Sequence, residues 1–197
     1  MKTPLGTLGV PGDAAGWLTL GLAVVLLLVA RPLPWVSSSR LLVAALAVLA
    51  AALSAVYVEH YLRGGPRIVD ATTYFLQARA LSAGDVTIDV PAPTGSFRGR
   101  FLLAGDDGAR IAGIFPPGYP AVLALGFLVG HPLAVGPLLA ALLVAATAAL
   151  AYRLHGGAEA RLAAGLSAVC VALRYHTADT MSHGLGALLF TLVLLGA

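Results

Sequence analysis

From Leu41 to Tyr57 the chain runs through Ala, Leu and Val with Ser54 as the one hydroxyl before Tyr57. A helix of that composition is apolar all round and has no polar face to turn to water, so it belongs in a lipid bilayer. A bilayer core about 30 Å thick takes roughly 20 apolar residues, and fewer where the membrane thins or the ends snorkel. Four further runs approach that length: Ala14 to Ala30, Val135 to Tyr152, the shorter Leu162 to Leu173, and Gly184 to Ala197. The chain is therefore expected to form an all-α, polytopic membrane bundle. Its 59% hydrophobic and 11% charged residues agree, since soluble proteins carry about 25% charged residues.

The segment Arg31-Pro-Leu-Pro-Trp-Val-Ser-Ser-Ser-Arg40 is polar and proline-broken, which pairs the first two spans as a hairpin. Trp17 stands where an interfacial aromatic would, only Lys2 precedes the first run as a cation, and no small-residue cleavage site precedes Arg31. The first run thus reads as a retained span rather than a signal peptide. Arginines in short loops favour the cytoplasmic side. Arg31 and Arg40 mark one such loop, Arg153 and Arg161 another, and with both inside, the stretch from Glu59 to Gly118 lies outside. The last run reaches Ala197 without a charge, cap or breaker, so residues 1–197 are expected to be the N-terminal part of a single transmembrane domain.

The outer stretch is the chain's concentration of charge. Arg63, Arg67, Arg79, Arg98, Arg100 and Arg110 balance Glu59, Asp70, Asp85, Asp89, Asp106 and Asp107, leaving no net charge to oppose export. A charged loop of this length on a lipid-embedded scaffold is where function is sought. The net charge of +3 comes from scattered arginines without interleaved aromatics, which excludes a nucleic-acid partner. The spans carry almost no buried charge, which argues against a transporter. Cys170, the one cysteine, precludes an intrachain disulfide and reads as a small buried hydrophobe.

Within the loop, Ala71, Tyr74, Phe75, Ala78 and Leu81 recur at three-four spacing, while Thr72, Thr73, Gln77 and Arg79 fall off that stripe. This predicts a short amphipathic helix between Asp70 and Gly84, lying along the membrane surface or against the bundle, with Asp70 as its capping residue. Val86 to Gly95 reads as extended and proline-stiffened. Asp106-Asp-Gly108 reads as a turn between two short strands, Phe97 to Leu103 and Ala109 to Ile114. Ala121 to Val129, bounded by Pro120 and Gly130-His-Pro132, is half the length of a span and is expected at the membrane surface or as a re-entrant piece. Its Gly126 and Gly130 form a small-xxx-small pair of the kind that chance readily gives in a chain with 23 glycines. Before the last run, Arg174-Tyr-His-Thr-Ala-Asp-Thr-Met-Ser-His183 forms a polar collar, in which His176, Asp179 and His183 would share one side of a helix. His60, His131 and His155 sit at span edges and need no function.

Asp70-Ala-Thr-Thr-Tyr-Phe-Leu-Gln-Ala-Arg79, then Gly84, then Phe115-Pro-Pro-Gly-Tyr-Pro120 and Leu123-Ala-Leu-Gly126 form an ordered set. With Val135-Gly-Pro-Leu-Leu139 and Met181-Ser-His183, this set resembles the first outer loop and following spans of the GT-C superfamily of membrane glycosyltransferases. The resemblance runs from about Tyr57 to Gly196 and is nearest to the bacterial family-39 type, similar to protein O-mannosyltransferases and aminoarabinose transferases. It implies transfer of a sugar from a polyprenyl-phosphate carrier to a glycan, lipid or protein acceptor, at the outer face of a bacterial inner membrane. It implies Asp70 as catalytic base toward the acceptor or as a divalent-metal ligand. Tyr74, Gln77, Arg79, Arg98, Arg100, Tyr119, Arg174 and His183 are the substrate-binding candidates. Arginines suit the departing carrier phosphate, which needs its charge stabilised. Many relatives carry Asp-Glu where this chain has Asp70-Ala71, so no adjacent acidic pair is present to bind a metal. The second reading is a non-catalytic membrane protein on the same scaffold, such as a carrier-lipid-binding or assembly subunit.

Overall fold

The computed structural model describes residues 39–197 except Asp107. The predicted span over 14–30 and the hinge up to residue 38 lie outside the described residues. Apart from two 3-10 turns, the described residues form α1 Ser39–His60, α2 Val69–Ser82, β1 Ile88–Asp89, β2 Leu102–Ala104, β3 Arg110–Gly113, α3 Gly118–Leu128, α4 Val135–His155, α5 Gly157–Val169, α6 Val171–Ala178 and α7 His183–Gly196.

Two of the predicted spans are met directly. Arg40–His60 and Pro132–His155 are long and apolar enough to cross a membrane, and the 22 residues of α1 extend about 33 Å. Pro137 is tolerated in α4 because it falls in the first turn, where a missing N–H costs no intrahelical bond. The two helices pack through Leu46, Ala50, Ala140, Val144 and Ala148, joined by Ala164 and Ala168 of α5. Small residues let the backbones approach, which is the main source of helix association where lipid is as apolar as leucine.

The expected fourth span over 162–173 is not continuous. Cys170 adopts an extended conformation (φ −65°, ψ 114°) that separates α5 from α6. From Arg174 the chain turns too polar to continue as an apolar span. Cys170 itself is exposed at this break, not buried as its composition suggested. A second change of direction, 114°, separates α6 from α7. At 14 residues, α7 reaches only about 21 Å and is shorter than a bilayer core. Gly136 of α4 and Gly184 of α7 flank Thr177 at this bend: a Cβ on Gly136 would strike the Thr177 carbonyl, and one on Gly184 would lie 2.9 Å from its methyl.

The end of α1, the start of α4 and the α6–α7 bend meet at one end of the bundle, where Tyr57, Val58, Leu62 and Ala178 are buried together with Leu133 and Tyr175 at their edge. At the other end Arg153 of α4 donates to the Leu195 carbonyl of α7. The helix α2 sits on the first end. There α2 is held by Thr180, whose hydroxyl donates to the Ala71 carbonyl at 2.8 Å, and by a 3.0 Å hydrogen bond between the Tyr74 and Ser182 hydroxyls.

The predicted helix is present, with its start shifted. Val69 begins α2, Ile68 is the N-cap residue without a side-chain cap, and Asp70 is the second helical residue. Asp70 therefore does not cap the helix as expected. Its charge near the N-terminus is favourable to the helix dipole instead. The C-terminus closes as a Schellman motif: Asp85 N–H donates to Ala80 and Gly84 N–H to Leu81, both at 3.0 Å, with Gly84 at φ +80°. Ala71, Tyr74 and Ala78 are buried as the periodicity required, and Phe75 and Leu81 pack at the core edge. Thr73, predicted off the stripe, is buried too; its hydroxyl donates to the Val69 carbonyl at 3.0 Å, which satisfies it inside the helix.

The hairpin is also present. β2 pairs with β3 antiparallel, Leu103 opposite Ala112, and the turn closes with Gly105 N–H to the Arg110 carbonyl at 2.8 Å, Gly108 taking φ +67°. A third strand, β1, pairs on the other side of β3 with Ile88 opposite Ile111, giving the order β1-β3-β2. The start of the predicted first strand at Phe97 lies instead in a 3-10 turn, Thr94–Phe97. The half-length apolar segment forms α3, which lies on α2 through Leu123, Ala124 and Tyr119. The packing use of Gly126 is specific: a Cβ there would come within 2.8 Å of the Pro132 Cα.

Candidate functional site

The end of the bundle at the α6–α7 bend carries a layer of aromatic and hydroxyl groups beside the first turn of α2, which bears Asp70. Tyr74 stacks on Phe115 with centroids 4.3 Å apart and meets Tyr119 edge-on at 5.5 Å. These three rings join α2, the proline segment and the start of α3 into one block. Gln77 fastens the sheet to it, its side-chain amide donating to the carbonyls of Phe115 at 2.8 Å and Gly113 at 3.2 Å. Tyr74, Gln77 and Tyr119 are thus engaged in holding the loop together. Burial first, then the charge of Asp179, then Tyr74, push the Tyr119 phenol above its ordinary range, so it stays protonated.

Asp70 is half-buried, and its carboxylate has no hydrogen-bond partner among the described residues. On the helix it lies 100° round from Val69 and close to the hydroxyl ties at Ala71 and Tyr74. A carboxylate so placed keeps its acceptor capacity for an incoming hydroxyl or amine.

The arginine candidates are dispersed. Arg79 is exposed near the other end of α2, about 13 Å along the helix from Asp70. Arg98 and Arg100 are exposed after the Thr94–Phe97 turn, Arg100 with its guanidinium 5.4 Å from the centre of the Phe101 ring. Arg174 is only 3% exposed, within α6, whereas His183 is exposed at the start of α7. The shared helix side expected for His176, Asp179 and His183 is absent, because α6 ends at Ala178 and the chain bends before His183. The His176 and His183 rings nevertheless stand 4.8 Å apart. No group of three or more His, Cys, Asp or Glu side chains converges on a metal-sized site among the described residues.

Sequence reasoning missed Thr180 and Ser182, which carry the contact between α2 and the bend. Their only signal was the presence of small hydroxyls in a chain segment flanked by an apolar run. Asp179 entered that reasoning only as a member of the polar collar with His176 and His183; it is 1% exposed, one oxygen accepts the Thr180 N–H at 2.9 Å, and the Arg67 backbone N–H also lies against its carboxylate. Asp179 serves the bend, where a broken helix leaves backbone amides to be satisfied. No protein-family model matches this chain, and no curated protein or solved structure does either.

Proposed function

We propose that the chain is the catalytic-face portion of a GT-C-type, family-39-like membrane glycosyltransferase, which moves a sugar from a polyprenyl-phosphate donor to an acceptor hydroxyl or amine. The observation that carries this reading is the placement of Asp70: an unengaged carboxylate on a helix pinned by Thr180 and Ser182 across the ends of the apolar helices. A lipid-linked sugar phosphate holds its reacting carbon at the membrane interface, so a base for this reaction has to stand on an element fixed at that depth. In this reading Asp70 takes the acceptor proton as the acceptor oxygen or nitrogen attacks the anomeric carbon, and the bond to the carrier phosphate breaks. Arg98 and Arg100, both exposed on the loop, offer guanidinium groups to the departing phosphate. Tyr74, Gln77 and Tyr119 shape the floor rather than bind the sugar directly. The site faces the outside of a bacterial inner membrane.

The test is Asp70→Asn in the full-length protein, assayed for transfer from a polyprenyl-phosphate-linked sugar. A general base typically contributes about 100-fold or more; transfer undiminished at equal expression would falsify the role given to Asp70. A second reading, a non-catalytic carrier-binding or assembly subunit, draws on the same packing: Tyr74, Gln77 and Tyr119 are consumed by internal contacts, and Ala71 stands where a second acid would serve a metal. Saturable binding of the lipid-linked sugar by the wild type without turnover distinguishes it.

A further inference from the structure

Across the 114° bend between α6 and α7 two imidazoles face each other: the His176 and His183 rings have centroids 4.8 Å apart and planes inclined by 37°. Gly184 makes this approach possible. A Cβ at that position would come within 2.9 Å of the Thr177 methyl and 3.2 Å of the His176 carbonyl, so the start of α7 closes tightly on the end of α6. Tyr175 meets His176 edge-on at 5.2 Å and Tyr57 of α1 edge-on at 6.3 Å. His176 is half-buried, while His183 is exposed.

This arrangement suits neutral imidazoles. The His176 Nδ1 is buried and has no hydrogen-bond partner among the described residues. In the neutral ring that nitrogen can carry the lone pair; in the imidazolium both nitrogens are donors, and this one would be left without an acceptor. A second cost is mutual, since two imidazolium charges at this separation, partly shielded from water, repel. Among the described residues no acid forms an ion pair with either ring. Asp179, the nearest acid in the chain, turns its carboxylate to the N–H groups of Thr180 and Arg67. The titratable groups on the other elements packed against the bend are Tyr57, Glu59 and His60 of α1, Asp70 and Tyr74 of α2, and Tyr119 of α3; α4 has none before Tyr152 and α5 none after Arg161. The charge that bears on His176 is that of His183.

The chain between the two histidines also carries both ties to α2, the Thr180 hydroxyl to the Ala71 carbonyl at 2.8 Å and the Ser182 hydroxyl to that of Tyr74 at 3.0 Å. We infer that the His176–His183 pair is an acid-operated latch: while both rings are neutral the bend stays closed, and their protonation opens it and loosens the hold of Thr180 and Ser182 on the first turns of α2. The closed bend binds fewer protons than the open one. Its stability is therefore full above the ordinary imidazole value of about 6.5 and is lost as pH falls below it. The latch concerns the position of α2 and stands whether or not Asp70 serves as a base.

Amide exchange of the full chain in nanodiscs of neutral lipid, corrected for its intrinsic pH dependence, tests this. Between about pH 7.5 and about pH 5.5, exchange at 174–184 and at 70–75 is expected to quicken by about tenfold or more, the change that one unit of difference between closed and open values gives. Amides of α1 and α4 should not follow. His176→Phe keeps an aromatic ring against His183 and removes the proton, so its profile should be flat at the wild type's neutral-pH level. Should that variant exchange faster throughout α1 and α4, showing a misfolded bundle, His183→Phe at the exposed position decides by the same criterion. A flat wild-type profile overturns the latch. So does acid quickening that persists in the folded phenylalanine variant, which would assign the effect to Asp179 or another carboxylate.

Discussion

The Thr180 hydroxyl donates to the carbonyl of Ala71, 109 residues earlier in the chain and one residue after Asp70. A buried bond between the bend of the last two helices and the first turn of α2 makes the position of Asp70 depend on a residue far from it in sequence. Thr180→Val keeps the shape and removes the donor, and should cost about 1 kcal/mol. Hydrogen exchange is the measurement: amides of α2 should exchange faster in the variant, with those of α1 and α4 unchanged. Uniform acceleration across all three helices would mean that the bond stabilises the whole bundle instead.

Gln77→Ala should free the sheet from α2. Two carbonyls, of Gly113 and Phe115, lose their donor, at a cost of about 1–3 kcal/mol if they stay dry. Exchange or limited proteolysis within 110–115 should rise while the Tyr74–Phe115 stack keeps the proline segment in place. A protease pattern identical to the wild type would sink this assignment.

Gly136→Ala tests the tightest backbone approach at the bend. Its Cβ would strike the Thr177 carbonyl, and overpacking of this kind costs about 1–3 kcal/mol. Gly186→Ala, where nothing lies within 4 Å of the added carbon, is the matched control. In thermal unfolding in detergent the first variant should melt lower than the wild type, and the control at or above it.

The turn after α2 should loosen in acid. The backbone and hydroxyl of Thr87 and the backbone of Val86 donate to Asp85, and Arg110 lies at 2.8 Å, which together hold its carboxyl below the ordinary 3.8. A depressed folded value gives stability that is present above the unfolded value and is lost as pH falls through the folded one. The window therefore opens below about pH 4. Amide exchange at 84–88, corrected for its intrinsic pH dependence, should rise below pH 4 in the wild type and be raised at all pH values in Asp85→Asn, whose profile should be flat.

Much of this architecture was legible because its signals were local. Apolar length identified α1 and α4, three-four spacing identified the face of α2, and Asp106-Asp-Gly108 with its flanking apolar runs identified the β2–β3 hairpin. What was not legible depended on tertiary contact. β1 is two residues long, and only pairing with β3 makes it a strand. The break at Cys170 carries no proline or glycine to announce it. Asp70 had the residue type and spacing of a cap, yet the cap falls two residues earlier, at Ile68, and the helix begins at Val69. The candidate ligands Tyr74, Gln77 and Tyr119 share a chemistry with packing residues, so one sequence could not separate the two uses; their partners did.

The stack of Tyr74, Phe115 and Tyr119 has a consequence for protein engineering. Its rings come from α2, the proline segment and α3, yet Tyr74 and Tyr119 share one buried cluster with Leu139 and Leu143 of α4 and Leu188 of α7. Grafting this loop onto another pair of apolar helices would therefore have to carry those facing leucines along with Thr180 and Ser182.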